Sequence, residues 1–290
     1  MKDVSEQDLK HNLPLVSVDA KDTFSTVKVK DVEISRNTFT VMAGPCAVEN
    51  LDKIVEIAGE VKKKGAVILR GGAFKPLTFP YRSDSFFELR EEGLEYLNEA
   101  RKIHGIPVVT ELMDIRFLEK ICECTDMIQI GSRNMQNFPL LEEVARTGFP
   151  VLLKRHFGCS LRDWLGAAEY ILYNGNVNVV LCERGITAPH THRVTSRFIV
   201  DLQVIPAAQE LTHLPIIVDP SHSTFRREFV SPVARAACAI GADGILVDVH
   251  PNPSEAAVDP LNALDFENFG FLMDDLKQIS KIIKKKLNKT

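Results

Sequence analysis

Eight short apolar runs are spaced along this chain, and each ends in a residue able to do chemistry. They read VMAGPC (41–46), VILRGG (67–72), PVVTE (107–111), MIQIGSR (127–133), PVLLKR (150–155), NVVLCER (178–184), PIIVDPSH (215–222) and GILVDVH (244–250). The residues at their ends are Cys46, Arg70, Glu111, Arg133, Lys154, Arg184, His222 and Asp248. One run ending in a charge says little. Eight in series, with helix-like segments between them, describe strands buried on both faces, which is the mark of a parallel sheet. The predicted fold is an α/β chain closed as a (β/α)8 TIM barrel, with active-site groups at the C-terminal strand ends. A doubly wound open sheet is the structural competitor. Its first turn is usually GxGxxG, whereas this chain has Gly44-Pro45-Cys46 there.

The segments between the runs carry helix punctuation. Asn50 caps a helix over 51–64 that stops at Gly65, and Ser83 or Asp84 opens one over 83–103 before Gly105. Asp114 opens 114–123, Gly148 closes 137–147, and Ser160 opens 160–173. Further helices are expected over 196–211, over 228–240 before Gly241, and over 265–288, where Lys281, Lys284, Lys285 and Lys286 suit the negative end of the helix dipole. That lysine cluster reads as a solvated helix terminus. Residues 1–22 are polar and aperiodic, a flexible arm. Residues 25–40 alternate apolar and polar around Lys30-Asp31, a short hairpin placed to cover the bottom of the barrel. The division is thus an arm and hairpin over 1–40 and a catalytic barrel over 41–290.

Composition removes several function classes. A formal net charge of −4 gives no global basic field for nucleic acid. No run reaches the roughly 18 apolar residues of a membrane span, and MKDVSEQDLKHNLP has no apolar core of a secretory signal. The six cysteines follow no disulfide framework, so free thiols in a reducing cytoplasm are expected. Cys122 and Cys124 are too close for the usual zinc spacing and would face different sides of a helix, as ordinary packing.

The rim itself divides in two. Cys46, His222 and Asp248, with Asp259 in the loop beyond, offer a thiolate, an imidazole and two carboxylates, a donor set for Mn, Fe, Co or Zn. The first and eighth strands are neighbours in a closed barrel, so these ends converge. Taken singly, Cys46 could equally be a small buried residue and His222 a cap. Arg70, Lys75, Arg133, Lys154 and Arg184 place five cations at or just past the second, fourth, fifth and sixth strands, which calls for an anionic substrate. Glu111, among them, either orients a water or relays a proton, or else balances the charge of Arg133 or Lys154. His156, His190, His192 and His250 also follow strand ends, and His250 ranks first because it lies two residues past Asp248.

Together, GPCAVE (44–49), LRGGAFKP (69–76), VVTELMD (108–114), IQIGSRNMQNF (128–138), LLKR (152–155), LCERGI (181–186), VDPSHS (218–223) and VDVHPNPSEAAVD (247–259) make a specific pattern. On these motifs, from about residue 37 to 266, the chain resembles the type I 3-deoxy-7-phosphoheptulonate (DAHP) synthases, in the compact subgroup close to 3-deoxy-octulosonate-8-phosphate synthases. The resemblance implies a (β/α)8 barrel that condenses phosphoenolpyruvate with an aldose phosphate, most readily D-erythrose 4-phosphate. It implies a divalent metal on Cys46, His222, Asp248 and Asp259, and a homo-oligomer, dimer or tetramer. Arg70 and Lys154 would hold the phosphoenolpyruvate carboxylate, and Arg133 and Arg184 its phosphate, with Ser132 and Thr78 also binding substrate. Glu111 would position a water, and Lys75 would sit between the two substrates near the aldehyde oxygen.

Two positions depart from the family. Asp248 stands where the family usually has Glu. Leu77-Thr78-Phe79 stands where it typically reads Arg-Thr-Ser, and that arginine grips the acceptor's phosphate. Arg82, Arg226 or Arg227 are candidates to supply the missing charge. A related synthase with a different aldehyde acceptor, and a non-catalytic paralogue that binds anions, are the competing readings.

Overall fold

The computed structural model describes residues 4–75, 88–188, 198–224 and 226–289. The chain starts with α1 (Glu6–His11) and a hairpin of β1 (Val27–Val29) and β2 (Val32–Ile34), antiparallel with Val27 opposite Ile34. Strands and helices then alternate: β3 (Thr38–Gly44), α2 (Leu51–Lys63), β4 (Ile68–Arg70), α3 (Glu91–His104), β5 (Val108–Glu111), α4 (Leu118–Cys124). They continue with β6 (Met127–Ile130), α5 (Phe138–Arg146), β7 (Val151–Lys154), α6 (Leu161–Tyr173), β8 (Val179–Glu183), α7 (Val204–Leu211) and β9 (Ile216–Val218). A one-turn α8 (Pro220–Ser223), then α9 (Arg227–Ala239), β10 (Gly244–Asp248), α10 (Phe266–Ile282) and β11 (Lys286–Leu287) complete the chain. From β3 to β10 each strand pairs in parallel with the next, and β10 pairs with β3, so the eight strands close into a barrel. Among the described residues, no helix is long and apolar enough to cross a membrane.

Two apolar layers hold the ring. Outward strand residues such as Val41, Leu69, Val108, Ile128, Leu153 and Val218 pack under the helices. Inward ones, among them Met42, Ile68, Val109, Met127, Leu152, Cys182, Ile217 and Leu246, fill the barrel together with Val27, Val29 and Ile34 of the hairpin. The hairpin therefore plugs the bottom as expected, and the plug is apolar because it completes the barrel's own core. The turn expected at Lys30-Asp31 is there, with Lys30 at φ 52°.

Cap residues place several helix starts as the sequence indicates. Asn50 accepts from the Lys53 amide, and Ser160 forms a reciprocal capping box with Asp163. Asp114 caps a single 3-10 turn that runs into α4. Four expectations need correction. The arm is not loose: Val4, Leu13 and Val16 are buried in the core, Glu169 of α6 accepts from the amides of Leu15 and Val16, and Asp8 pairs with Arg162. The described part of α3 starts at Glu91 rather than near residue 83, because Arg90 donates its amide to the Ala73 carbonyl and Glu88 accepts from the Lys75 amide. Ser83 and Asp84 lie outside the described residues. Helix α7 starts at Val204 rather than 196, since Phe198 and Ile199 spend their amides on the Ser223 and Ile186 carbonyls. Helix α10 ends at Ile282, and the lysine cluster is not simply solvated: Lys285 turns in to Asp243 and to the Gly241 and Ala242 carbonyls, and β11 pairs with the foot of β3.

Removing the hairpin's contribution should cost what a core cavity costs. Ile34→Ala is expected to lower unfolding free energy by about 2–4 kcal/mol, read from urea denaturation, while the rim at the far end of the barrel stays intact.

Candidate active site

Side chains alternate in and out along a strand. The residue two past an inward apolar residue therefore also points into the barrel, one level higher. Ile68, Val109, Met127, Leu152, Cys182, Ile217 and Leu246 form the inward apolar level. Two positions on stand Arg70, Glu111, Gln129, Lys154, Arg184, Asp219 and Asp248. The rim is thus the top layer of the barrel interior, where a pleat rule meets a change from apolar to charged residues.

Four of the expected residues converge as a group able to hold a metal ion. One ligand atom each from Cys46, His222, Asp248 and Asp259 lies within 4.8 Å of all the others. The register Asp248 opposite Gly44 across the β10–β3 seam brings Asp248 alongside Cys46. His222 sits on α8, whose first turn is capped by Asp219 accepting the His222 amide at 3.0 Å. Asp259 sits at φ 53° in a loop whose base is closed by amides of Leu264 and His250 on the carbonyls of Asp248 and Leu264. Cys46 Sγ is 3.2 Å from Asp259 Oδ2 and 3.7 Å from His222 Nε2, which is 3.8 Å from Asp248 Oδ2. The donor set fits a divalent transition ion: it mixes soft and hard ligands, and the buried Asp248 Oδ2 has no hydrogen-bond partner among the described residues.

His222 Nδ1 is 2.8 Å from Asp219 Oδ2, an ion-pair distance off the hydrogen-bond direction. Burial by itself would lower the imidazole's pKa, but the Asp219 and Asp248 carboxylates outweigh it and raise it to about 9. Burial likewise pushes Asp219 up, and the His222 and Lys154 charges overcome that and hold it well below the usual carboxylate range.

Beside the donors lies a cleft of about 210 Å³ lined by Lys75, Glu111, Ser132, Arg133, Lys154 and Arg184, with His222 and Asp259 on its metal side. Lys75, Arg133, Lys154 and Arg184 stand in its lining beside His222 against the carboxylates of Glu111 and Asp259, a balance of charge that suits an anion. Lys75 Nζ is 3.1 Å from Cys46 Sγ and 3.0 Å from the Cys46 carbonyl, which places it between donors and cleft. Burial works against its charge and the Cys46 sulfur favours it, with the pKa raised on balance. Lys154 Nζ bonds Asp219 at 2.5 Å. Arg184 stacks over Phe198 at 4.2 Å and donates to the His222 carbonyl. Glu111 accepts from Gln129 at 3.0 Å and lies so near Gly131 that a Cβ there would meet Oε1 at 1.8 Å. Ser132 Oγ is buried without a partner among the described residues. Arg70 does not line the cleft; its Nη1 bonds Asp248 Oδ1 at 2.6 Å and the Pro45 carbonyl, and its buried Nε has no partner among the described residues.

The structure does not draw in every candidate. His250 is buried outside the donor group, 3.3 Å from Glu49. His156 stacks on Phe157. Arg226 is exposed against Glu228, and Arg227 bonds the Pro260 carbonyl in the loop beyond Asp259. Thr78, Leu77, Arg82, His190 and His192 lie outside the described residues. Cys122 is half-buried and Cys124 buried, consistent with packing. Sequence reasoning missed Asp219 and Gln129. Both stand two positions past an inward apolar residue, and that count was the signal.

A sequence profile of the DAHP synthetase I family matches residues 18–285. The chain is 44% identical to the phospho-2-dehydro-3-deoxyheptonate aldolase of Thermotoga maritima, over 94% of this chain and 79% of that one. It is 28% identical to the 2-dehydro-3-deoxyphosphooctonate aldolase of Magnetococcus marinus, over 89% of this chain and 94% of that one. Its fold is similar to the crystal structure of the Thermotoga maritima phospho-2-dehydro-3-deoxyheptonate aldolase, with a TM-score of 0.90 at 43% identity over 94% of this chain and 78% of that one. A truncated form of 3-deoxy-D-arabino-heptulosonate 7-phosphate synthase from the same organism aligns with a TM-score of 0.87 at 40% identity, over 96% of this chain and all of that one.

A cysteine among the candidate donors has a spectroscopic consequence. Titration with Co2+ is expected to produce a sulfur-to-metal charge-transfer band that Cys46→Ser abolishes. Persistence of the band in that variant would remove Cys46 from the donors.

Proposed function

The chain belongs to the DAHP synthetase I family, and from that premise we propose that it condenses phosphoenolpyruvate with D-erythrose 4-phosphate and water to give DAHP and phosphate, the first step of the shikimate pathway. The observation that carries this reading is the junction of a four-donor metal group with a cation-lined cleft, with Lys75 at the boundary. A heptonate product is favoured over an octonate one because the relative named for the former is 44% identical, while those named for the latter stand at 25–29%.

In this reading Arg133 and Arg184 bind the phosphate of phosphoenolpyruvate and Lys154 its carboxylate, with Arg70 assisting from behind Asp248 rather than from the cleft wall, and with Ser132 and Thr78 as further contacts. Fixed cations stabilise charge on the moving groups without reorganising. Cys46, His222, Asp248 and Asp259 would hold a divalent ion (Mn, Fe, Co or Zn), which when bound would supply Lewis acidity for the aldehyde acceptor. The enol carbon of phosphoenolpyruvate forms the new bond to the aldehyde carbon, and Lys75 donates a hydrogen bond where the aldehyde oxygen gains charge. Glu111, held by Gln129, orients the water that adds at C2. The resulting hemiketal phosphate expels phosphate and leaves the ketone.

Two features of this chain shape the acceptor end. Asp248, one methylene shorter than the family's usual glutamate, is tied to Arg70. Leu77 leaves the acceptor phosphate without its usual arginine. We place residues 1–40 as an arm and hairpin serving a barrel over 41–290. We assign the protein to the cytoplasm, on its free thiols, as a dimer or tetramer without nucleic-acid or membrane partners; sedimentation reads the oligomer directly.

Incubation with phosphoenolpyruvate, D-erythrose 4-phosphate and Mn2+ is expected to release phosphate, and a chelator to stop it; no release in the complete mixture would sink the reading. Gly131→Ala must displace Glu111 and is expected to cut kcat about a hundredfold, as misplacement of a reacting group does, with a normal thermal transition. Leu77→Arg is expected to lower KM for D-erythrose 4-phosphate; an unchanged KM would show that residue 77 is not a lost phosphate anchor.

A further inference from the structure

Asp219 is wholly buried directly after β9, and three groups from both halves of the site meet on its two oxygens. Oδ1 accepts the His222 amide at 3.0 Å. Oδ2 lies 2.8 Å from His222 Nδ1 and 2.5 Å from Lys154 Nζ. Its own amide is fixed by the Glu183 carbonyl at 2.7 Å. With Nδ1 turned to this carboxylate, the other ring nitrogen, Nε2, faces Cys46, Asp248 and Asp259. A carboxylate behind a metal-ligating histidine orients its ring, and here it does so by charge at 2.8 Å, since Nδ1 lies off the hydrogen-bond direction. The same oxygen fixes the ammonium of Lys154 in the wall of the anion cleft.

We propose that Asp219 is a positioning residue shared by the two halves of the site, holding the His222 imidazole toward the metal donors and the Lys154 ammonium toward phosphoenolpyruvate through one carboxylate. This rests on the function proposed above for those two residues. Its consequence is specific: loss of a residue serving one half alone moves one affinity, whereas loss of this one moves both. Lys154→Met should weaken phosphoenolpyruvate and leave the metal nearly unchanged.

The test uses equilibrium binding, so turnover is not needed. Mn2+ and phosphoenolpyruvate are titrated separately into wild-type protein, Asp219→Asn and Lys154→Met, with circular dichroism and thermal melting alongside. Asparagine keeps an oxygen for the His222 amide and hence the α8 cap. Asp219→Asn is expected to raise the Mn2+ Kd by about 10–100-fold and the phosphoenolpyruvate Kd by roughly tenfold, the loss of one charge-assisted hydrogen bond. If Asp219→Asn melts early, Asp219→Ser, which also caps a helix, is read in the same way. Both affinities falling supports the proposal; either one staying at the wild-type value overturns it. Wild-type protein that binds neither ligand would strike the proposed function itself, whereas variants that bind both as wild type does would strike only the role of Asp219.

Discussion

Closure of the barrel runs through five register pairs between β10 and β3, from Gly244 opposite Thr40 to Asp248 opposite Gly44. Glycine stands at both ends of this seam because the strands leave no room there for a side chain. A Cβ at Gly44 would lie 2.0 Å from the Arg70 carbonyl oxygen, and one at Gly244 would lie 2.2 Å from that of Thr40. The seam decides which chain ends meet. It sets the end of β10 beside Cys46, and the loop after β10 returns Asp259 to the same point. Without it the first and last strands of the barrel would not pair, and the candidate metal donors would not meet.

The rim also solves a charge problem. Burying charges is costly unless they are paired and hydrogen-bonded. Here the buried charges come in pairs. Arg70 pairs with Asp248, a candidate metal donor, and Lys154 pairs with Asp219, which also lies against the candidate donor His222. Arg155 pairs with Glu183 and Asp201 and lies over the Trp164 ring. A single layer of side chains thus stabilises the interior and presents donors and cations toward the cleft.

Most of the barrel was legible because its signals are local. A strand buried on both faces must be apolar throughout, and Asn50, Asp114 and Ser160 cap helices by bonds to residues two or three positions on. What was misread depends on distant partners. The arm looks polar, yet Val4, Leu13 and Val16 find the core beside α6 and α7. Lys285 looks like a helix-end cation until Asp243, 42 residues away in sequence, draws it inward. Asp219 drew no reading at all from the sequence, because nothing near it announces Lys154.

The sequence by itself determined the alternation of strands and helices, the apolar plug and the identities of the rim residues, since periodicity and strand-end position follow from backbone geometry alone. Only the tertiary structure decided how those residues are shared. Closure of the ring brings Asp248 to Arg70 and Asp219 to Lys154 and His222. Each carboxylate there must neutralise a buried cation from another strand, and that requirement has no trace in local sequence. Whether a strand-end charge stands alone or is shared between strands depends on which strand end lies within about 3 Å of it, and folding alone sets that distance.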